Sequence, residues 1–153
     1  MAQTSQFCTF YLDKLLFGVE LRGVQEVICS LEMTKVPLAP AMVSGLINLR
    51  GQIVTAVDLR RRLELEPRPA GTLAMNVVVR SEDGAVSLLV DEIGDVLQLD
   101  PADFEAAPDN LSPAARELVR GVYKLKNRLL LVLNPDQTLE VDEQMESRTA
   151  GSN

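Results

Sequence analysis

Few side chains in this sequence are of a type and spacing that could do chemistry. Asp91, Glu92 and Asp95 fall within five residues, a density at which paired carboxylates serve acid–base work or hold a cation. In a strand, however, Asp91 and Glu92 face opposite ways, and no glycine-bearing calcium loop surrounds them, so a solvated edge is expected. Cys8 and Cys29 stand 21 residues apart in a chain without histidine. That combination removes the usual zinc spacings, a Cys–His nucleophile pair and a phosphoacceptor imidazole together. Both cysteines read as small apolar core residues. Ser44 has no base to activate it, and Gly18, Gly23, Gly45 and Gly51 are too isolated to cradle a phosphate. No catalytic residue, metal or cofactor is expected, and the chain does not read as an enzyme.

The polar group that remains is Arg50, in the stretch Ser44-Gly45-Leu46-Ile47-Asn48-Leu49-Arg50-Gly51-Gln52-Ile53-Val54-Thr55-Ala56-Val57-Asp58-Leu59. Two apolar runs, 45–49 and 52–57, flank Arg50-Gly51, and a glycine there supplies the positive φ of a tight hairpin. Asp58 then reads as the N-cap of a short helix, Leu59 to Leu63, whose Arg60, Arg61 and Arg62 stand out into water. Arg50 is either a solvated turn residue or a rigidly presented recognition cation. Val24, Val27, Leu46 and Val54 offer an apolar floor nearby, with Glu26 and Arg50 as charged guides, which is how a protein partner is recognised.

The elements that position these residues are mostly strands. Phe7–Leu12 and Leu15–Leu21 form a hairpin about Asp13-Lys14, and Val24–Ile28 follows as a third strand. Pro37 and Pro40 make the next segment an irregular connection. Beyond the charged, proline-bearing stretch from Glu64 to Gly71, strands are expected at Ala74–Arg80 and Ala85–Asp91, joined through Asp83-Gly84, and then at Glu92–Leu99. Asp100-Pro101 and Ser112-Pro113 each read as a helix cap followed by proline. Gly121–Leu125 and Leu129–Leu133 close the ordered part, and residues 140–153 form an acidic, frayed tail.

With 153 residues, 46% of them hydrophobic and 24% charged, the chain buries a core without staples. The net charge of −7 is uneven: residues 1–72 hold eight of the 15 Lys/Arg and seven of the 22 Asp/Glu. The acidic second half repels phosphate backbones and anionic lipid, so neither nucleic acid nor a membrane surface is an expected partner. No apolar run reaches a membrane-spanning length and no signal peptide opens the chain, so a cytoplasmic protein with no direct membrane insertion is expected.

The sequence also repeats itself. Val19-x-Leu21-x-x-Val24-x-Glu26-Val27-Ile28 matches Leu88-x-Val90-x-x-Ile93-x-Asp95-Val96-Leu97 at an offset of 69. Gly45-Leu46-x-x-Leu49-Arg50-Gly51-Gln52-Ile53-Val54 matches Gly121-Val122-x-x-Leu125-Lys126-Asn127-Arg128-Leu129-Leu130 at an offset of 76. Two strand-rich units of this size imply two small barrels that pack together, with a binding cleft where they meet. Lys126 keeps the charge of Arg50 but loses its bidentate fork, while Asn127 still permits a left-handed turn.

The hairpin stretch through Arg60 closely resembles the CheW family of chemotaxis coupling proteins. Phe17-Gly18-Val19, Val24-Gln25-Glu26-Val27, Pro40-Ala41 and Val90-Asp91-Glu92-Ile93-Gly94-Asp95-Val96-Leu97 lie in family order. The resemblance runs from about Gln6 to Leu139; Thr55 stands where many relatives carry proline. It implies a mainly β fold of two intertwined, five-stranded SH3-like barrels with short helices. The expected single domain is 6–139, with one barrel near 14–72 and the other near 73–139 plus the N-terminal strand. The resemblance further implies a free-standing, non-enzymatic adaptor recruited to membrane-associated receptor arrays. Its partners would be the cytoplasmic tip of a chemoreceptor coiled coil and the regulatory domain of a CheA-type histidine kinase. By matched position, Gly45, Leu46, Asn48, Arg50, Val54 and Val96 would face the receptor. Val24, Glu26 and Val27 would make coupling contacts, and Gly51 and Asp58 would be turn and cap. The competing expectation is a two-barrel module holding an oligomeric ligand, nucleic acid or sugar, in its cleft.

Overall fold

The computed structural model describes residues 4–29, 31–82 and 84–138. The strands are β1 (Ser5–Leu12), β2 (Leu15–Glu20), β3 (Val24–Cys29), β4 (Val43–Leu49), β5 (Gln52–Asp58), β6 (Met75–Ser81), β7 (Gly84–Val90), β8 (Glu92–Leu99), β9 (Val119–Lys124) and β10 (Leu129–Leu133). Two short helices, α1 (Leu59–Arg62) and α2 (Pro113–Leu118), each lead out of or into a strand. The Asp83 turn and the tail 140–153 expected from the sequence lie outside the described residues.

Period-two alternation sorts the side chains between cores. Cys8, Phe10 and Leu12 of β1, Phe17 and Val19 of β2, Val77 and Val79 of β6, and Val86, Leu88 and Val90 of β7 meet in one shared core. The opposite faces build two smaller cores: Phe7, Leu16, Tyr123, Leu130 and Val132 in one, Ile47, Leu49, Val54, Ala56 and Val78 in the other. β7 is buried on both faces, which is why its sequence is a nearly unbroken apolar run.

One sheet runs β8-β1-β2-β10-β9 and the other β3-β6-β7-β5-β4. Strands one to five of the first half correspond to strands six to ten of the second, and that correspondence turns one sheet into the other. The pairings β2–β10 and β5–β7 are both parallel, with Phe17 opposite Leu131 as Val86 is opposite Thr55. Cys8 lies opposite Val96 as Val77 lies opposite Val27. Bulges recur too: the step from Val43 to Gly45 matches that from Val119 to Gly121.

Sheet membership therefore does not follow the division near residue 72. β3 leaves its own hairpin to pair with β6, and β8 leaves its own to pair with β1. The cause is local: β2 passes into β3 through the single 3-10 turn Leu21–Gly23, and β7 into β8 through Asp91 alone, so each third strand crosses to the opposite sheet.

The glycine shared by the two repeats has a packing reason. A Cβ on Gly45 would stand 2.7 Å from the Thr34 carbonyl oxygen, and one on Gly121 would stand 2.6 Å from that of Glu105. Thr34 bridges to Leu46 and Glu105 to Val122, so in both halves a crossing chain lies flat on the strand.

Candidate functional site

The hairpin between β4 and β5 turns on Arg50 (φ 54°) and Gly51 (φ 86°). Positive φ at both central residues is the type I′ geometry, whose twist suits a two-residue hairpin. Arginine adopts it at a cost of about 1–2 kcal/mol, and the Asn48 Oδ1 accepts from the Gly51 N–H at 3.0 Å, holding the turn closed. The second copy bends differently: Asn127 is absent from the left-handed residues, and the Leu125 N–H donates to the Arg128 carbonyl at 2.8 Å.

From this tip the Arg50 guanidinium reaches Glu26, with Nη2 to Oε1 at 2.8 Å and Nη1 to Oε2 at 3.2 Å. β3 and β4 are the two outer strands of their sheet. The fork thus ties the outer strand β3 to the turn at the end of the other outer strand, β4, whose free side already pairs with Thr34 at Leu46. The Arg50 side chain remains 78% exposed and that of Glu26 is 20% exposed. Asp95 and Lys126 hold the equivalent positions in the other sheet, both exposed, and form no ion pair with each other among the described residues.

The apolar candidates divide sharply. Val27, 40% exposed, and Val96, 52% exposed, occupy equivalent positions in the two repeats. Leu46 and Val24 are half-buried, with Val24 packed on the shared core. Val54 is fully buried, and Gly45 is buried under the Thr34 backbone, so neither offers a surface; both correct the sequence reading. Alternation across the turn explains the first: Val54 points inward because Ile53 points out, 61% exposed. Ile53 and its repeat equivalent Leu129, also exposed, were the apolar surface residues missing from the expected set. Their position beside a hairpin tip was the available signal.

Asp58 caps α1 as expected, its Oδ1 accepting from the Arg60 N–H at 3.0 Å. The arginines that follow depart from expectation, since Arg60 and Arg62 are buried and only Arg61 faces water. Arg60 points at Asp91, whose carboxylate also accepts from Arg68 Nε at 3.0 Å and the Asp13 N–H at 2.7 Å. Asp91 is therefore a half-buried junction and not a solvated edge. Burial pushes its carboxyl up, but hydrogen bonds from Arg60, Asp13 and Arg68 and the Arg60 charge outweigh it and hold the pKa below the ordinary value. The bond to Asp91 raises Arg60 in turn.

No group of acidic, cysteine or histidine side chains able to hold a metal occurs among the described residues. Cys8 is buried, its thiol pushed up by that burial, and Cys29 is exposed; both are free. No helix among the described residues is long and apolar enough to cross a membrane.

Residues 6–143 match the family model described as CheW-like domain. The chemotaxis protein CheW of Rhizobium meliloti is 31% identical over 127 residues, covering 83% of this chain and 82% of that protein. The CheW of Treponema pallidum is 28% identical over 133 residues, covering 84% and 78%. The crystal structure of the scaffolding protein TtCheW from Thermoanaerobacter tengcongensis superposes with a TM-score of 0.82 at 25% identity, covering 92% of this chain and 95% of that one. A bidentate surface pair and exposed apolar side chains are features of a binding surface, and the chain belongs to the CheW family of non-catalytic chemotaxis scaffold proteins.

Proposed function

We propose that this protein couples the cytoplasmic tip of a chemoreceptor coiled coil to the regulatory domain of a CheA-type histidine kinase. It would act in the cytoplasm, recruited to membrane-associated receptor arrays. Membership of a chemotaxis scaffold family supports the reading, and the Arg50–Glu26 fork is the observation that carries it, with exposed Ile53 just past the hairpin tip and exposed Val27 on the other face of β3. A charged pair and exposed apolar side chains on the same strands and hairpin combine directional hydrogen bonding with area for burial.

The receptor-facing residues are Leu46, Asn48, Arg50, Ile53 and Val96. Gly45 and Val54 act behind them, shaping the hairpin. Glu26 and Val27, with Val24 beneath, contribute coupling contacts on β3, and the kinase's own CheW-like domain packs pseudo-symmetrically on a barrel end. A receptor changes kinase activity through this bridge only where its two signalling states contact the adaptor differently.

The test is a pull-down with the cognate kinase regulatory domain and a receptor-tip fragment, comparing wild type with Arg50→Ala and Glu26→Ala. Wild type bridging both partners, and a folded variant losing one, is the expected result. Wild type binding neither partner across a range of salt overturns the proposal.

A further inference from the structure

We propose that the exchanged strands make this chain able to trade halves with a second copy of itself through a hinge at Pro69–Ala74. In the exchanged dimer each composite unit pairs residues 4–68 of one molecule with residues 75–138 of the other.

The pairings β1–β8, β3–β6, β2–β10 and β5–β7 all cross between the halves. Within a half the pairings are the hairpins β1–β2 and β4–β5, or β6–β7 and β9–β10. Either half alone leaves a third strand without a sheet and a parallel pairing unmet, so the halves are complements and not independent units. A complement of the same sequence on another molecule satisfies the same bonds.

The covalent link between the halves is thin. Arg60 Nη1 donates to the Glu66 carbonyl at 2.8 Å, and Arg68 binds Asp91, which fixes the link as far as residue 68. Arg60 and Arg68 belong to one half and Asp91 to the other, so this junction re-forms unchanged in a composite unit. From Pro69 to Leu73 the chain is exposed and free of helix or strand. One turn reverses it, closed by the Thr72 N–H and Oγ1 donating to the Pro69 carbonyl at 3.2 and 2.6 Å.

Gly71 sets that turn with φ 87°, and a Cβ there would meet nothing within 4 Å. Its conformation holds the hinge folded back without taking part in packing. The folded-back and extended hinges lead to the same sheets and cores, so their balance depends on this turn and on protein concentration. The exchanged dimer would carry two Arg50–Glu26 forks and two Val96 surfaces on one tethered body, a bivalent form of the adaptor.

Cys29 and Met75 are register partners across β3 and β6, one from each half. The full chain carrying Met75→Cys is unfolded, refolded at high and low protein concentration, and oxidised. Exchange predicts a crosslink within one chain in the monomer, and between chains in a dimer that survives on a non-reducing gel. Gly71→Val should raise the dimer-to-monomer ratio after refolding by about tenfold, measured by light scattering. As a check independent of Met75→Cys, tagged and untagged wild type should form mixed dimers when refolded together and not when mixed native. The proposal is overturned if wild type and Gly71→Val stay monomeric at every refolding concentration. It is equally overturned if dimers form with intrachain crosslinks alone, or if native mixing produces mixed dimers as readily as refolding.

Discussion

Glu26, on the outer strand β3, receives both terminal nitrogens of Arg50, at 2.8 and 3.2 Å, from the turn that joins the opposite outer strand β4 to β5. One contact therefore ties the two ends of the sheet together and fixes the direction of an exposed cation. An exposed ion pair contributes about 0–1 kcal/mol. Arg50→Ala and Glu26→Ala should each leave the denaturant midpoint nearly unmoved while weakening binding to the partner that uses this surface. Arg50→Lys keeps the charge and loses the fork, so it should retain stability and bind less well than wild type. Titration calorimetry alongside urea unfolding separates these outcomes.

The two glycines of the hairpin region should respond differently to alanine. Gly51 is left-handed with open space around it, so Gly51→Ala costs only backbone strain, about 1–2 kcal/mol. Gly45→Ala drives a Cβ against the Thr34 carbonyl oxygen, which cannot move without breaking the Thr34–Leu46 bridge. Urea midpoints should rank wild type above Gly51→Ala and Gly51→Ala above Gly45→Ala.

Asp91 supplies a pH dependence whose sign is fixed. Its folded pKa is lowered relative to the ordinary carboxylate value of about 3.9. The stability it contributes is complete above that value and is lost as pH falls through the lower folded one. Asp91→Asn leaves the Arg60 and Arg68 guanidiniums facing an amide, and should destabilise the protein by about 3 kcal/mol near neutrality. The steep loss of stability on acidification should flatten in that variant. Unfolding free energies from neutral pH down to about pH 3 give both readouts.

Val54 and Val27, on different strands of one sheet, separate folding from binding. Val54→Ala opens a cavity in a fully buried site and should cost about 1–3 kcal/mol, whereas Val27→Ala should move stability by under about 0.5 kcal/mol. Partner affinity, measured at a temperature where both variants are folded, should fall for Val27→Ala and stay near wild type for Val54→Ala.

Alternation and turn chemistry locate the strands because those signals are local: the Arg50-Gly51 tip, the Asp58 cap and the glycine of each repeat are all legible within a few residues. The fate of Arg60 is not, because the carboxylate that draws it inward lies 31 residues away at a strand junction. The inward face of Val54 escapes notice for a related reason, since alternation fixes which residues share a face but not which face is covered. Glu26 and Arg50 are each visible as charged markers. Their meeting depends on β3 pairing with β6, a choice that the repeat itself does not reveal.

That choice has a consequence for synthesis. β2 takes its place in the middle of a sheet beside β10, with Leu16 opposite Leu130. The β1–β2 hairpin must therefore wait, with one side unpaired, until β10, more than 100 residues further along, has been made. Completion of that sheet is set by long-range closure and is slow by the standards of domains built from local contacts, whereas the other sheet, β3-β6-β7-β5-β4, has all its strands once β7 is made.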